Sequence, residues 1–145
     1  MTAEQMWDAF IAANQIEADY EAWAFGDDPD ELARLVLEGT KTATASAYPF
    51  YELEEEELPK EGQYSVILNS REEAVCIIRT AKVFIVPFCD VDKRQAWKEG
   101  EGDRTLAYWR RIHEGFFSEE LKGVGLTFDP GMKVVCEEFE MVFCG

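Results

Sequence analysis

Three segments rich in β-branched residues most constrain the fold of this chain. They read QYSVILN at 63–69, EAVCIIRTAKVFIVPF at 73–88 and MKVVCEEFEMVFC at 132–144. Such residues favour strands, and the third segment alternates apolar and acidic residues as a half-buried strand does. The order of segments lacks the strand–helix–strand repeat of a parallel sheet. It predicts an α+β fold: a small, mostly antiparallel β-barrel with helices packed at its openings.

Helices are predicted on both sides of the first two strands. Residues 3–13 carry apolar side chains at helical spacing. In GDDPDELARLVLEGT, Asp28 is a typical N-cap, Pro29 suits the first helical position, and Gly39 is the expected residue just past the C-terminus. Residues 90–122 are predicted to be helical, with interruptions at the glycines of the EGEGD segment.

Two connecting segments differ from these elements in composition. Thr40 to Tyr48 is rich in threonine and is predicted to be extended. The run at 52–62 is expected to form a solvated acidic loop. With no repeat or low-complexity linker, the 145 residues are predicted to form one domain, of which residues 1–22 are an N-terminal helical extension.

Charge and hydropathy limit the classes of function. A net charge of −16 opposes non-specific binding to DNA or to an anionic membrane. The amino terminus lacks a basic region followed by an apolar one, and no stretch approaches the roughly 20 apolar residues of a membrane span. We therefore expect a cytoplasmic protein that binds neither membranes nor DNA.

The four cysteines do not indicate a metal site. Cys76, Cys89, Cys136 and Cys144 show no C-x-x-C spacing, and the chain has a single histidine. Cys76 and Cys136 lie in apolar runs and are predicted to be buried thiols. We expect no metal and no organic cofactor.

Two short motifs carry a resemblance to a known family. Gly39, Lys41 and Thr44 form G-x-K-x-x-T just after a predicted helix, and EGEGD at 99–103 precedes an aromatic helix. In this order and at these junctions, the motifs resemble the ASCH domain, a β-barrel relative of the PUA RNA-binding domains. The similarity extends from about Trp23 to the C-terminus.

The resemblance implies a cleft on the barrel and ligands related to RNA or nucleosides. One branch of the family hydrolyses the amide of N4-acetylcytidine with a lysine, a threonine and a glutamate, which correspond here to Lys41, Thr44 and Glu99. Another branch, linked to cleavage of single-stranded RNA, shares the W-x-F-G feature that begins at Trp23, and EGEGD, more closely. The leading interpretation is a small hydrolase of a nucleoside or RNA-derived substrate. A single-strand ribonuclease and a non-catalytic RNA-binding module are the alternatives.

The chemistry of the lysine motif depends on local geometry. Lys41 and Thr44 are three residues apart, so a regular strand would point them to opposite faces unless a bulge or turn intervenes. Lys41 is predicted to act as base or charge stabiliser, Thr44 as nucleophile or water-positioner, and Glu99 as the proton-handling or orienting carboxylate. Glu101 or Asp103 can replace Glu99 if the loop register differs. The structural alternative is a solvated strand lysine.

One region is less acidic than the rest of the chain. Residues 92–113 hold six basic and four acidic side chains, interleaved with aromatic residues that can stack on bases. Arg104 and Arg111 are expected to share a helix face. Trp109 and one of Trp97 and Tyr108 are expected to pack in the core. This small positive balance favours a nucleoside, a nucleotide or a short single-stranded RNA as the ligand.

Further residues are assigned to the predicted site. The candidates for substrate binding are Trp23, Phe25, Ser46, Glu101, Asp103, Arg104, Tyr108 and Arg111. His113 and Ser118 are weaker catalytic candidates. His113 is expected at a helix surface or end, and Ser118 is expected to be an N-cap.

Overall fold

Five strands form one sheet in the computed structural model, which describes residues 1–145. The strands are β1 (Tyr20–Ala24), β2 (Ala43–Ala47), β3 (Tyr64–Leu68), β4 (Ala74–Pro87) and β5 (Lys133–Cys144). Their order in the sheet is β1-β3-β4-β5-β2. The sheet curls into a half-barrel whose two edges are β1 and β2.

The pairing is mixed. Three of the four pairs are antiparallel, as predicted, but β1 runs parallel to β3. The long strand β4 shifts register between Ile77 and Ile78 and again between Thr80 and Lys82. These irregularities let a 14-residue strand bend and pair with β3 at one end and β5 along its length. The α+β architecture is therefore confirmed, whereas the barrel is only half closed.

Five α-helices and one 3₁₀-turn precede or connect the strands. They are α1 (Ala3–Asn14), α2 (Pro29–Leu37), α3 (Tyr48–Leu53), α4 (Lys93–Glu99), α5 (Leu106–Lys122) and the turn at Phe88–Asp90. The helix boundaries follow their caps: Asp28 accepts from the Glu31 N–H at the start of α2, and Thr105 accepts from the Tyr108 N–H at the start of α5.

The helices bury their apolar faces on the sheet in three groups. Helix α1 packs Met6, Trp7 and Phe10 onto Val66 and Ile77, so this N-terminal helix shares a core cluster with the sheet. Helix α2 packs onto Ile67, Cys76, Ile78 and Phe139. Helix α5 buries Trp109 and Phe117 in a cluster with Cys136 of β5. These contacts bring the end of α2 and the α4–α5 junction to the same side of the molecule.

Three local predictions were wrong. Tyr48 begins helix α3 instead of extending the preceding strand. Strand β1 was not foreseen, because Tyr20–Ala24 shows no simple alternation of apolar and polar residues. Ser118 lies inside α5, four residues before its end, and is not an N-cap.

Two other predictions concern the thiols and the membrane. Cys76 and Cys136 are buried, as predicted, and burial raises the pKa of each thiol to about 12. Cys89 and Cys144 are exposed, and all four cysteines are free. None of the helices combines the length and apolar character that crossing a membrane requires.

Candidate functional site

A cleft of about 930 Å³ opens between the two edge strands of the half-barrel. Strand β1 contributes Trp23 and Glu21, and strand β2 contributes Thr44 and Ser46. The outer wall is the acidic segment 54–60, which follows α3. Because β1 and β2 do not pair with each other, the curl of the sheet leaves this space between them.

A smaller pocket of about 50 Å³ shares part of the cleft wall. Thr44 and Phe25 line both spaces, whereas Lys41, Glu99 and His113 line only the smaller one. We call it the lysine pocket. The structure therefore gathers side chains from both sequence motifs at one point.

The end of α2 determines the position of Lys41. Gly39 adopts a φ of +80°, and the Lys41 N–H donates to the Leu35 carbonyl. Strand β2 begins only at Ala43, so Lys41 precedes the strand and the alternation of side chains does not apply to it. This turn lets Lys41 and Thr44 reach the same pocket, and pairing of β2 with β5 is continuous from Ala43 to Ala47.

Backbone contacts hold the two motifs together. The Thr42 N–H donates to the Lys98 carbonyl at 2.7 Å, and the Arg104 guanidinium donates to the Thr40 carbonyl at 3.4 Å. Gly100 has a φ of +73°, and a Cβ there would lie 2.5 Å from the Thr40 carbonyl oxygen. The close approach of the EGEGD loop to the lysine segment therefore requires glycine at this position.

Lys41 is buried, with 2% of its surface exposed. Its Nζ donates to Glu101 Oε2 at 3.2 Å and to the Glu99 carbonyl at 3.5 Å, and it lies 3.7 Å from Glu99 Oε1. The ammonium also stands 5.2 Å from the centre of the Phe25 ring. These contacts exclude the solvated strand lysine.

Glu99 is the centre of this network. Its Oε2 accepts hydrogen bonds from the indole N–H of Trp109 and from Gln95 Nε2, and its Oε1 lies 3.3 Å from His113 Nε2. Burial raises the pKa of Glu99, but the His113 charge and hydrogen bond, followed by Lys41 and Trp109, outweigh burial and lower it to about 2. Glu99 is therefore an anion, and both of its carboxylate oxygens already have polar or cationic partners. Such a carboxylate is suited to orienting its neighbours.

His113 completes an internal ion pair. Its Nδ1 lies 2.9 Å from the Trp109 carbonyl, which can only accept, so Nδ1 carries a proton. Nε2 faces the Glu99 carboxylate and needs a proton as well. Burial lowers the pKa of His113, but Glu99 and then Glu101 raise it above its ordinary value overall. The predicted surface location was wrong: 8% of His113 is exposed, and the ring stacks on Trp109.

Glu101 differs from Glu99 in its surroundings. Burial, partly offset by Lys41 and reinforced by Glu99, raises the pKa of Glu101. Its side chain is 14% exposed and makes its closest polar contact with Lys41. Glu101 is therefore the more accessible of the two carboxylates.

The same carboxylates and His113 form a possible set of metal ligands. One donor atom from each of Glu99, Glu101 and His113 lies within 4.8 Å of the others. However, the Lys41 ammonium already pairs with both carboxylates, and His113 Nε2 must hold a proton toward Glu99. We therefore assign the positive charge at this point to Lys41 and His113.

The remaining predicted residues fall into two groups. Trp23 and Ser46 line the cleft, where the Ser46 hydroxyl lies 2.8 Å from the Tyr51 hydroxyl. Asp103 lies outside both spaces and accepts hydrogen bonds from the N–H and hydroxyl of Thr105. Ser118 also lies outside both spaces.

The two arginines of the predicted site do not lie on one helix. Arg104 precedes α5 with a φ of +64°, and its guanidinium stacks 3.7 Å from the Trp97 ring centre. Arg111 lies on α5 over the Tyr108 ring. The expectation that Arg104 and Arg111 share a helix face was therefore wrong. Trp109 is buried as predicted, but neither Trp97, which is exposed, nor Tyr108, which is half-buried, joins it in the core.

Sequence reasoning missed three polar residues. Gln95 was not assigned, although its spacing of four from Glu99 on α4 predicts that the two side chains meet. Tyr51 and Glu137 line the cleft, on α3 and β5 respectively. No local signal in the sequence places Glu137 there, because its position depends on the pairing of β5 with β2.

The curled sheet, the cleft between its edges and the buried lysine at the helix–strand junction define a PUA-like α+β domain. A family model described as the ASCH domain matches residues 21–143. The chain belongs to the ASCH domain family.

Two solved structures share this fold along nearly the whole chain. A protein from Enterococcus faecalis V583 is 40% identical with a TM-score of 0.91, and the match covers 97% of this chain and 88% of that one. An ASCH domain from Lactobacillus crispatus JV V101 is 28% identical with a TM-score of 0.91, and that match covers 97% and 93% of the two chains. No curated protein matches the chain.

Proposed function

We propose that the protein is a small hydrolase that acts on a nucleoside or another RNA-derived compound held in the cleft. The leading substrate class is an N-acylated base such as N4-acetylcytidine. The observation that carries this proposal is the meeting of Lys41 and Thr44 in the lysine pocket, where that pocket adjoins the cleft. Membership of the ASCH domain family supports a ligand related to RNA.

The contacts in the pocket suggest a role for each residue. Lys41, buried and paired with carboxylates, supplies a fixed positive charge that can stabilise the oxyanion of an amide under attack. Thr44, on the wall shared by the pocket and the cleft, is the nucleophile or positions the attacking water. Glu99 orients Lys41, because its other contacts already hold it as an anion.

The charge of the cleft favours a small neutral ligand over a strand of RNA. Its lining contains six glutamates and a single lysine, Lys60. A chain of phosphates brought into this space would meet carboxylates at most charged positions. An uncharged nucleoside avoids this repulsion.

The proposal is tested by measuring the release of cytidine from N4-acetylcytidine. We expect Lys41→Ala to lower kcat/KM by at least about 10²-fold, the scale of losing one electrostatic stabiliser of the transition state. Thr44→Val, which keeps the shape and removes the hydroxyl, should lower kcat to a similar extent. Lys122→Ala removes an exposed lysine at the end of α5 and should leave turnover unchanged.

Two outcomes would contradict the hydrolase. One is a parent protein that releases no cytidine at any concentration tested. The other is a Lys41→Ala protein that folds and retains the parent's rate, since turnover would then come from a contaminating enzyme. Far-UV circular dichroism of each variant separates lost chemistry from lost folding.

An RNA-binding or ribonuclease role is the second candidate, and an exposed surface outside the cleft favours it. Trp97 is 58% exposed with the Arg104 guanidinium stacked on its ring, and Tyr108 and Arg111 form a second such pair. Aromatic and arginine side chains in this arrangement can stack on unpaired bases.

This second candidate is tested with a short single-stranded RNA on the same set of proteins. Binding that weakens with salt and is lost in Trp97→Ala would support a binding module. Cleavage lost in Lys41→Ala would support the ribonuclease. If the parent protein neither binds nor cleaves the RNA at low salt, both the RNA-binding module and the ribonuclease are contradicted.

A further inference from the structure

A glutamate on the neighbouring strand lies opposite the proposed nucleophile in the register of the sheet. Thr44 on β2 and Glu137 on β5 are direct partners in the antiparallel register, and both line the cleft. Side chains of directly opposed residues project from the same face of a sheet, with Cβ atoms about 4.5–5.5 Å apart. A glutamate side chain spans that separation.

The lysine pocket leaves one chemical requirement of the proposed reaction unfilled. A threonine hydroxyl needs a base within reach before it can attack a carbonyl carbon. The Lys41 ammonium pairs with Glu99 and Glu101. The carboxylate of Glu99 already accepts hydrogen bonds from Gln95 and Trp109. Glu101 is held by Lys41 at 3.2 Å, so another wall of the cleft is the better source of a proton acceptor.

We propose that Glu137 is a catalytic residue of this site, the general base that accepts the proton of the Thr44 hydroxyl and later returns it to the leaving nitrogen. This inference rests on the proposed amide hydrolase. It adds a residue that lies in neither of the two sequence motifs.

The proposed hydrolysis needs only the amide substrate and one water molecule. Thr44 Oγ1 forms a bond to the carbonyl carbon as its proton passes to Glu137, and the carbonyl π electrons move to the oxygen. When the carbon–nitrogen bond breaks, Glu137 gives the proton to the departing amine. Water then cleaves the Thr44 ester by the same route, so that one amide and one water yield a carboxylic acid and an amine.

The environment of Glu137 suits this role. Burial raises the pKa of Glu137 to about 7. A hydrogen bond from Thr80 on β4 lowers this pKa in part, and the negative charge of Glu21 on β1 raises it further. A base works best when its pKa lies near the working pH. The other titratable groups of the cleft are Tyr51 on α3, Glu120 on α5, and Glu54, Glu56, Glu57 and Lys60 in the outer wall. Only Lys60 among these carries a positive charge.

The test is the pH profile of kcat/KM for N4-acetylcytidine with the parent and Glu137→Gln proteins. The parent rate should rise with pH through about 7 and then level off, because only the deprotonated carboxyl accepts a proton. Glu137→Gln should lower kcat by about 10²-fold or more and remove this rise. Added formate should partly restore the rate of Glu137→Ala by supplying a carboxylate.

The matched control is Glu61→Gln, which removes one negative charge at an exposed residue that does not line the cleft. It should keep the parent's kcat within about twofold and keep the rise near pH 7. A loss smaller than tenfold in Glu137→Gln, or a persisting rise, overturns the role of Glu137 while the hydrolase stands. A parent without turnover overturns both.

Discussion

A buried ion pair between Glu99 and His113 underlies the position of Lys41. His113 donates through Nδ1 to a backbone carbonyl and faces Glu99 through Nε2, so its imidazolium form fits both neighbours. The same carboxylate lies beside the lysine ammonium. Loss of the histidine charge would leave the buried Glu99 with only the Lys41 ammonium as a neighbouring cation, and we expect the lysine contact to shift.

We expect His113→Asn to lower the free energy of unfolding by about 3 kcal/mol at pH 6, because breaking a buried pair leaves an uncompensated charge. The pKa of His113 is raised above its ordinary value in the folded protein, so its stabilisation is complete below pH 6.5 and is lost as pH rises through the raised value. The difference in the free energy of unfolding between the parent and His113→Asn should therefore be smaller at pH 9 than at pH 6. Urea unfolding followed by tryptophan fluorescence measures this difference at both pH values.

The control for this pair is Glu114→Gln, an exposed change on the neighbouring position of α5. It should alter stability by no more than about 0.5 kcal/mol at either pH. A gap for His113→Asn that stays the same from pH 6 to pH 9 would contradict a charged histidine in the folded protein.

The junction between α4 and α5 is the element that brings the two sequence motifs together. We expect Gly100→Ala to destabilise the protein by at least about 1–2 kcal/mol, because a side chain in the left-handed region is strained and the new Cβ meets the Thr40 carbonyl. Turnover should fall too, since the loop that carries Glu101 must move away from Lys41. Thermal unfolding and turnover of N4-acetylcytidine check the two effects.

Gly115→Ala is a control for which we expect a change in stability opposite to that of Gly100→Ala. Gly115 lies inside α5 with open space where its Cβ would stand. Alanine there should stabilise the helix by about 0.5–1 kcal/mol and leave turnover unchanged. If Gly100→Ala behaved as Gly115→Ala does, the close approach of the two segments would not be needed.

Sequence patterns predicted the elements whose signals are local. Helix α2 follows from its Asp28 cap and from Gly39, and β5 follows from its alternation. Strand β1 and the half-open barrel were not predictable in this way, because β1 is held by parallel pairing with β3, forty-four residues later at Tyr20 and Tyr64. Arg104 was assigned to a helix because its left-handed backbone before Thr105 leaves no clear mark in the sequence.

The candidate site shows the same division. Lys41, Thr44, Glu99 and Glu101 were found through their motifs, and the structure brings all of them to one pocket. Their roles remain predictions. Glu137 was missed because only the register of β2 with β5 sets it opposite Thr44. Contacts made across the sheet are determined by the whole fold, and a single sequence does not display them.

At the scale of the whole molecule, charge separates the cleft from the outer surface of α4 and α5. The chain carries −16 overall, and glutamates predominate among the charged residues of the cleft. Two pairs of a cation and an aromatic ring, Arg104 with Trp97 and Arg111 with Tyr108, lie outside it, and Trp97 and Arg111 are exposed. We therefore expect the cleft to disfavour ligands that carry phosphates, and the outer surface to be the place where phosphates can bind.

This distribution predicts a preference for substrates without phosphate. We expect the 5′-monophosphate of N4-acetylcytidine to show a kcat/KM on the order of tenfold below that of the nucleoside at low salt, from repulsion by several carboxylates across water. The difference should shrink as salt rises, because exposed charges are screened over about 10 Å at 0.1 M. It should also shrink in a triple variant, Glu54→Gln, Glu56→Gln and Glu57→Gln, which neutralises the outer wall and leaves the lysine pocket intact. Equal kcat/KM values for both compounds in the parent at low salt would mean that the ribose end of the substrate does not face the acidic wall.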